Sequence, residues 1–275
     1  MTQQEKAQAF EALHRRPGCF LIPNPWDAGS ARLLAALGFE ALATTSAGLA
    51  FSLGRRDGAG LVTRDETLAN ARAIVEATPL PVAADLENCF AHEPRDAAET
   101  IRLAGEVGLV GGSIEDASGD PEQPIYDFSH AVERVAAAAE AARSLPFKFM
   151  LCARAENFLH GREDLDDTIR RLQAFEKAGA DVLYAPALRS LDVVRTICGA
   201  VSRPVNVLVG AAIPGFTVAS VTAAGAKRIS VGGAFARAAL GGFMRAAREL
   251  KEQGTFDWAK EALPFADAQT AMRDR

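Results

Sequence analysis

The chain has 275 residues, 49% of them hydrophobic, and a formal net charge of −5. That length supports one large core, and with no basic block in the sequence a nucleic-acid surface is excluded. No apolar run reaches the ~18 residues of a membrane span. The polar start Met1-Thr2-Gln3-Gln4-Glu5-Lys6 lacks a secretory apolar stretch. Cys19, Cys89, Cys152 and Cys198 are scattered, so neither a zinc site nor a disulfide framework is expected. A cytoplasmic location is the expectation.

Residues 3–15 put Ala7, Phe10 and Leu13 on one helical face, and Arg16-Pro17-Gly18 breaks that helix. The apolar run 19–22 reads as a first strand ending at Pro23-Asn24-Pro25-Trp26-Asp27. Residues 28–37 read as a helix closed by Gly38, and 40–45 as the second strand, running into Ser46-Ala47-Gly48. Residues 63–77 form a helix with Thr63 as N-cap and Glu66 as its reciprocal partner. Pro81-Val82-Ala83-Ala84-Asp85-Leu86 is the third strand, followed by a helix over 93–107 that Gly108 ends. Residues 110–114 are the fourth strand, with Glu115 and Asp116 at its end. The polar loop 117–127 carries Gly119, Pro121 and Pro124 and is expected to be mobile.

A helix over 128–143 leads to the fifth strand, 147–153, and then Arg154-Ala155-Glu156-Asn157. The remaining pattern is helix 164–178 closed by Gly179, strand 182–184, helix 191–198 and strand 204–209. Helix 218–224, closed by Gly225, strand 228–231, a long helix over 235–253 and a last helical segment within 256–273 complete it. Eight short apolar strands alternating with helices require a parallel sheet covered on both faces. The expectation is an α/β fold, a (β/α)8 TIM barrel with extra N-terminal and C-terminal helices. It would be one domain over 1–275, with 254–275 a C-terminal helical extension. A doubly wound open sheet would need a glycine-rich phosphate loop after the first strand, and Pro23-Asn24-Pro25 is not one.

In such a barrel the chemistry gathers at the carboxyl ends of the strands. There stand Asn24 and Asp27; Thr45 and Ser46; Asp85 and Glu87; Glu115 and Asp116; Arg154 and Glu156; and Asn206 in the seventh strand. On a strand, Asp85 and Glu87 would share a face. Like charges side by side need a cation between them, and an oxygen-only set suits Mg²⁺. Arg154 can take a substrate carboxylate bidentately, and backbone N–H groups of Ser46, Ala47 and Gly48 can take an oxyanion. The set suits a metal-assisted enzyme on a small carboxylate next to a carbonyl.

The chain resembles the isocitrate lyase / phosphoenolpyruvate mutase superfamily over about residues 18–245. The stretches that carry this are Asn24-Pro25-Trp26-Asp27-Ala28-Gly29-Ser30-Ala31, Thr45-Ser46-Ala47-Gly48-Leu49-Ala50, Arg56-Asp57-Gly58 and Ala84-Asp85-Leu86-Glu87-Asn88. Ser113-Ile114-Glu115-Asp116, Ala153-Arg154-Ala155-Glu156 and Arg228-Ile229-Ser230-Val231-Gly232 follow in the same order. The resemblance implies Mg²⁺, or Mn²⁺, held by Asp85, Glu87 and Glu115, with Asp57 in the metal's shell. It implies a substrate carboxylate at the Ser46-Ala47-Gly48 amides and Arg154, with Asn206 as a further substrate contact. Asp57, Arg154 and Glu115 are the expected catalytic groups, and a pyruvate-like enolate the expected intermediate. A homotetramer built as a dimer of dimers is also implied.

Two departures stand out. The family's lyases carry a Lys-Lys/Arg-Cys-Gly-His loop after the fourth strand. Here it reads Ala117-Ser118-Gly119-Asp120-Pro121-Glu122-Gln123-Pro124-Ile125-Tyr126-Asp127, without that motif and without the mutases' lysine and asparagine. Cys89 stands where most relatives have glycine. The expected function is C–C cleavage of a small 2-oxo acid, such as oxaloacetate decarboxylation or hydrolysis. The alternatives are C–P chemistry, as in a phosphonopyruvate hydrolase or phosphoenolpyruvate mutase, and a silent 2-oxo-acid-binding barrel. Cys89 and Cys152 are read as buried small groups, Trp26 as packing, His160 as a solvated loop residue, Glu156 as an orienter of Arg154 and Asp116 as a turn former or a ligand.

Overall fold

The computed structural model describes residues 1–273. Its strands are β1 (Phe20–Ile22), β2 (Leu42–Ala43), β3 (Val82–Ala84), β4 (Gly111–Glu115), β5 (Met150–Arg154), β6 (Val182–Tyr184), β7 (Val205–Leu208) and β8 (Arg228–Ser230). All pair in parallel, in the order β1-β8-β7-β6-β5-β4-β3-β2. Between β1 and β2 the ring is joined by Ala43 N–H donating to Pro23 O at 3.1 Å and by Asn24 Nδ2 donating to Thr44 O at 2.9 Å. Asn24 Oδ1 also accepts from the amides of Val231 and Gly232. Asn24 is therefore a strut that ties β1 to both neighbours. The expected TIM barrel is the observed fold.

The helices are α1 (Gln3–Arg15), α2 (Ala28–Ala36), α3 (Ser46–Ser52), α4 (Arg64–Ala77), α5 (Pro94–Glu106), α6 (Phe128–Ser144), α7 (Leu165–Ala178), α8 (Leu191–Ala200), α9 (Val218–Ala223), α10 (Ala234–Gln253) and α11 (Phe265–Ala271). The capping box on α4 forms as expected, Thr63 Oγ1 accepting from Glu66 N while Glu66 accepts from Thr63 N. Gly179 closes α7 at φ +112°, where a Cβ would also strike Arg143 at 2.6 Å. One helix was not foreseen. Ser46-Ala47-Gly48, for which no helix was expected, opens α3 with Thr45 as its N-cap. Gly48 is required there because a Cβ would lie 2.6 Å from Trp26 Cβ, and this close approach makes Trp26 a packing residue.

Two apolar layers hold the barrel. The outer one lies between strands and helices, with Leu42, Val82, Leu86, Ile114, Phe149, Leu151, Leu183 and Val207 all buried. The inner one fills the barrel floor. There Phe10 of α1 stacks edge-on against His14 and Phe20, and its ring occupies the space a Cβ on Gly111 would need. The small inner side chains Ala41, Ala83 and Cys152 leave room above that floor.

After Gly254 the chain forms a 3-10 turn, Asp257–Glu261, then α11. α11 rests on α2, where Arg32 Nη1 donates to Met272 O. The large apolar groups mostly face outward: Phe243 is 67% exposed, Phe256 66% and Phe265 80%. The last two residues of the expected extension lie outside the described residues.

Candidate functional site

Arg154 ends β5 at the centre of the barrel mouth. Its Nη1 donates to Asp85 Oδ1 at 2.9 Å and faces Glu115 Oε2 at 3.1 Å, and its Nε donates to Glu156 Oε1 at 2.8 Å. The guanidinium lies over the Tyr184 ring, 5.0 Å from its centroid. Nη2 alone has no protein acceptor among the described residues. The fork expected from the sequence to be open is engaged by protein carboxylates at two of its three nitrogens. Glu156 is buried and does orient the arginine, while its second oxygen has no partner.

Asp85 is held by Arg154, by Ser113 Oγ at 3.4 Å and by Ser46 N at 3.3 Å. β3 stops at Ala84, so Asp85 and Glu87 do not share a strand face. A turn brings them together instead. Glu87 N donates to Asp85 Oδ1 at 3.4 Å, Cys89 N donates to Leu86 O at 2.7 Å, and Glu87 itself lies at φ +49°. Cys89 follows at φ +60°, a backbone conformation that glycine adopts without strain. Left-handed backbone at three non-glycine positions, Glu87, Cys89 and Phe90, costs of order 1 kcal/mol each. It is held by Arg134, which donates to the carbonyls of Asn88, Ala91 and His92.

The carboxylates outnumber the cation. Burial first, then Asp85 and Asp57, push the Glu87 carboxyl up to about 7. Burial and Asp85 raise Asp57, against a hydrogen bond from the Ser46 side chain. Burial raises Glu115 well above the usual range despite the opposing Arg154. Asp57 is itself exposed on its loop and is linked to this group through Ser46 and through the charges of Asp85 and Arg154. Hard oxygen donors with surplus negative charge are the donor set Mg²⁺ prefers. Among the described residues no three acidic, histidine or cysteine side chains converge to chelating distance, because Arg154 stands between Asp85 and Glu115. A cation that keeps several waters needs only one or two direct carboxylates, so the residues fit it.

These shifts carry a stability consequence with a definite sign. An acid whose folded value lies near 7 binds more protons folded than unfolded between about pH 4.5 and 7. The metal-free protein should therefore lose stability as pH rises through that window. Glu87→Gln removes this contribution and should stabilise the chelator-treated protein by on the order of 2 kcal/mol at pH 8, with little gain at pH 4.5. Urea unfolding of both proteins at the two pH values measures it; an equal gap at both would refute the assignment.

The other expected residues take different places. The amides of Ser46 and Gly48 are already donated, to Asp85 and to Thr45 Oγ1, while Ala47 is partly buried beside them. Asn206 is buried inside the barrel, its Nδ2 on Ser230 and its Oδ1 on Arg228. Asp116 is neither turn former nor ligand: it accepts from Glu156 N and from Arg171 Nη1 at 3.0 Å, tying β4 to α7. Burial raises the Cys89 thiol to about 12 and raises Cys152 as well, which disfavours the thiolate that a nucleophile needs. His160 is on an exposed loop. The loop after β4 is a small hairpin bridged at Ala117 and Ile125. Ala117, Ser118, Ile125 and Tyr126 are buried, while the tip, residues 119–123, is exposed, as is Asp127 at the start of α6, so any lid motion belongs to that tip. Sequence reasoning missed Tyr184 and Arg228; the alternation of inward positions along strands six and eight was the available signal.

The model of the family described as phosphoenolpyruvate phosphomutase matches residues 10–251. The 2-methylisocitrate lyase of Escherichia coli (strain K12) is 30% identical over 226 residues, 79% of this chain and 75% of that protein. A crystal structure from Burkholderia cenocepacia J2315, described only provisionally as a lyase/mutase, is 56% identical with a TM-score of 0.94. It covers 98% of this chain and 95% of that one. Phosphonopyruvate hydrolase, solved in complex with oxalate and Mg²⁺, shares the fold at a TM-score of 0.86 and 22% identity, over 98% and 95% of the two chains.

Proposed function

Because the chain belongs to the phosphoenolpyruvate phosphomutase family, we propose that it is a Mg²⁺-dependent enzyme that cleaves a small 2-oxo acid through a pyruvate-like enolate. The favoured reaction is C–C cleavage, with oxaloacetate decarboxylation or hydrolysis as the type. What supports this is the ring of Asp57, Asp85, Glu87 and Glu115 around the one arginine, Arg154. Asp85, Glu87 and Glu115 would hold Mg²⁺ or Mn²⁺, which when bound supplies a Lewis acid for the 2-oxo group. A relative of the same fold carries Mg²⁺ and oxalate in its complex, and oxalate has the shape of the enolate.

Arg154 binds the substrate carboxylate through Nη2 and is held in place by Glu156. The remaining amide at the start of α3, that of Ala47, is assigned to the same carboxylate. In decarboxylation the C3–C4 bond breaks, carbon dioxide leaves, and C3 of the enolate takes a proton. Asp57, whose carboxyl is raised by burial and by Asp85, is the group we assign to hold that proton. Asn206 acts behind the substrate through its contacts with Ser230 and Arg228. The second reading is C–P cleavage, favoured by the phosphomutase description of the matching family.

Turnover of oxaloacetate and phosphonopyruvate, each with and without Mg²⁺, separates the readings. Mg²⁺-dependent pyruvate from oxaloacetate is the expected result; no product from either, with ligand still bound, would leave a binding barrel.

The protein is further proposed to work in the cytoplasm as a homotetramer. No described helix is long and apolar enough to cross a membrane. Phe243, Phe256 and Phe265 leave aromatic surface in water, and burial of such rings is worth a few kcal/mol each. The segment after Gly254 would then cover a neighbouring subunit. Truncation at Gly254 should lower the mass measured by light scattering, and an unchanged mass would show that this segment does not hold the assembly together.

A further inference from the structure

We propose that the cavity inside the barrel, beneath Arg154, is a pocket for a small monoanion, with Arg228 as its counter-ion. The cavity has a volume of about 60 Å³, and Cys152, Tyr184, Asn206, Arg228 and Ser230 are among the groups that line it. Arg228 opens β8 and is only 7% exposed. Its Nε donates to Asn206 Oδ1 at 2.9 Å, and its Nη1 lies 3.4 Å from His14 Nε2.

Neither partner is an anion. His14 Nδ1 is bonded to Phe10 O at 2.8 Å, which makes Nδ1 the donor and leaves a lone pair on Nε2. Burial and the neighbouring Arg228 push the imidazole down to about 3, so it stays neutral. Among the described residues no carboxylate is paired with Arg228, and its Nη2 has no protein acceptor. Asp85 reaches the same cavity, but its carboxylate is engaged by Arg154. A buried charge without a partner is strongly unfavourable.

Two hydroxyls around the cavity can donate as well. Ser230 Oγ accepts from Asn206 Nδ2, which frees its own proton. Tyr184 is 9% exposed, and among the described residues its hydroxyl has no protein partner while the side chain lines the same space. Of the two arginines that line the void, Arg154 is matched by carboxylates, and Arg228 with two free hydroxyls beside it fits a compact anion. Two sources share that chemistry: a free halide, and the carboxylate of a small organic acid. The carboxylate source rests on the function proposed above; the halide source does not.

The test uses the whole metal-free protein and reads its thermal midpoint. Chloride and formate are each compared with gluconate, which is too large to enter, at equal ionic strength. Wild type should gain about 3 °C in saturating chloride or formate. Arg228→Gln should show no difference between the anions, and Arg228→Lys should keep part of the gain. A gain with both ions identifies a free-anion site; a gain with formate alone identifies a carboxylate site. Equal midpoints in all three salts for wild type would overturn the proposal, as would an unchanged gain in Arg228→Gln. If Arg228→Gln does not fold, the wild-type comparison and Arg228→Lys still decide. No arm needs metal or turnover, so failure here and failure of the enzymatic reading are separate results.

Discussion

Arg154→Met is expected to destabilise the protein by about 3–5 kcal/mol at pH 8 and to abolish turnover. Among the described residues the arginine is the only cation in contact with Asp85, Glu115 and Glu156, whose side chains are 20%, 13% and 1% exposed. Methionine of similar length leaves three carboxylates in a poorly solvated mouth with nothing to offset them. The loss should shrink toward pH 5, because the raised carboxyls of Glu87 and Glu115 then take up protons. Denaturant unfolding at both pH values measures this; a loss under 1 kcal/mol at pH 8 would mean that Arg154 does not neutralise the ring. Arg154→Lys keeps the charge but not the planar fork. It should weaken binding of a 2-oxo acid by about 1–3 kcal/mol.

Asp85→Ala is expected to lower Mg²⁺ affinity by roughly 100-fold or more while leaving the barrel folded. Asp85 stands just past β3, outside both apolar layers, and its bonds run to Arg154, Ser113, Ser46 and Glu87. Its removal also takes away the like charge that raises Asp57 and Glu87, so their carboxyls should fall toward the usual range. Calorimetric titration of Mg²⁺ into both proteins decides the point, and unchanged affinity in the mutant would remove Asp85 from the metal site.

The barrel was legible because the strands are short apolar runs set off by helix-closing glycines, as at Gly179 and Gly225, or by prolines, as at Pro81 and Pro204, and because periodicity survives without tertiary context. What was not legible depends on contacts across the ring. The carboxylates at the strand ends could be named from the sequence, but not that Arg154 serves three of them at once. Asp85 and Glu87 were placed on one strand face, whereas a left-handed turn at Glu87 makes them neighbours. Spacing alone cannot distinguish those geometries. No helix was expected at Ser46-Ala47-Gly48 because a seven-residue helix with a glycine near its start has little local propensity. Asp116 looked like a turn residue because its partner, Arg171, is 55 positions away.

The central claim is that the ring around Arg154 takes a 2-oxo acid together with a divalent cation. Titration of oxalate into the protein with Mg²⁺ and with chelator tests it most directly. Oxalate should bind with Mg²⁺ present, at least tenfold more weakly without it (about 1.4 kcal/mol), and more weakly again in Asp85→Ala. Equal oxalate affinity with and without Mg²⁺ would contradict the account.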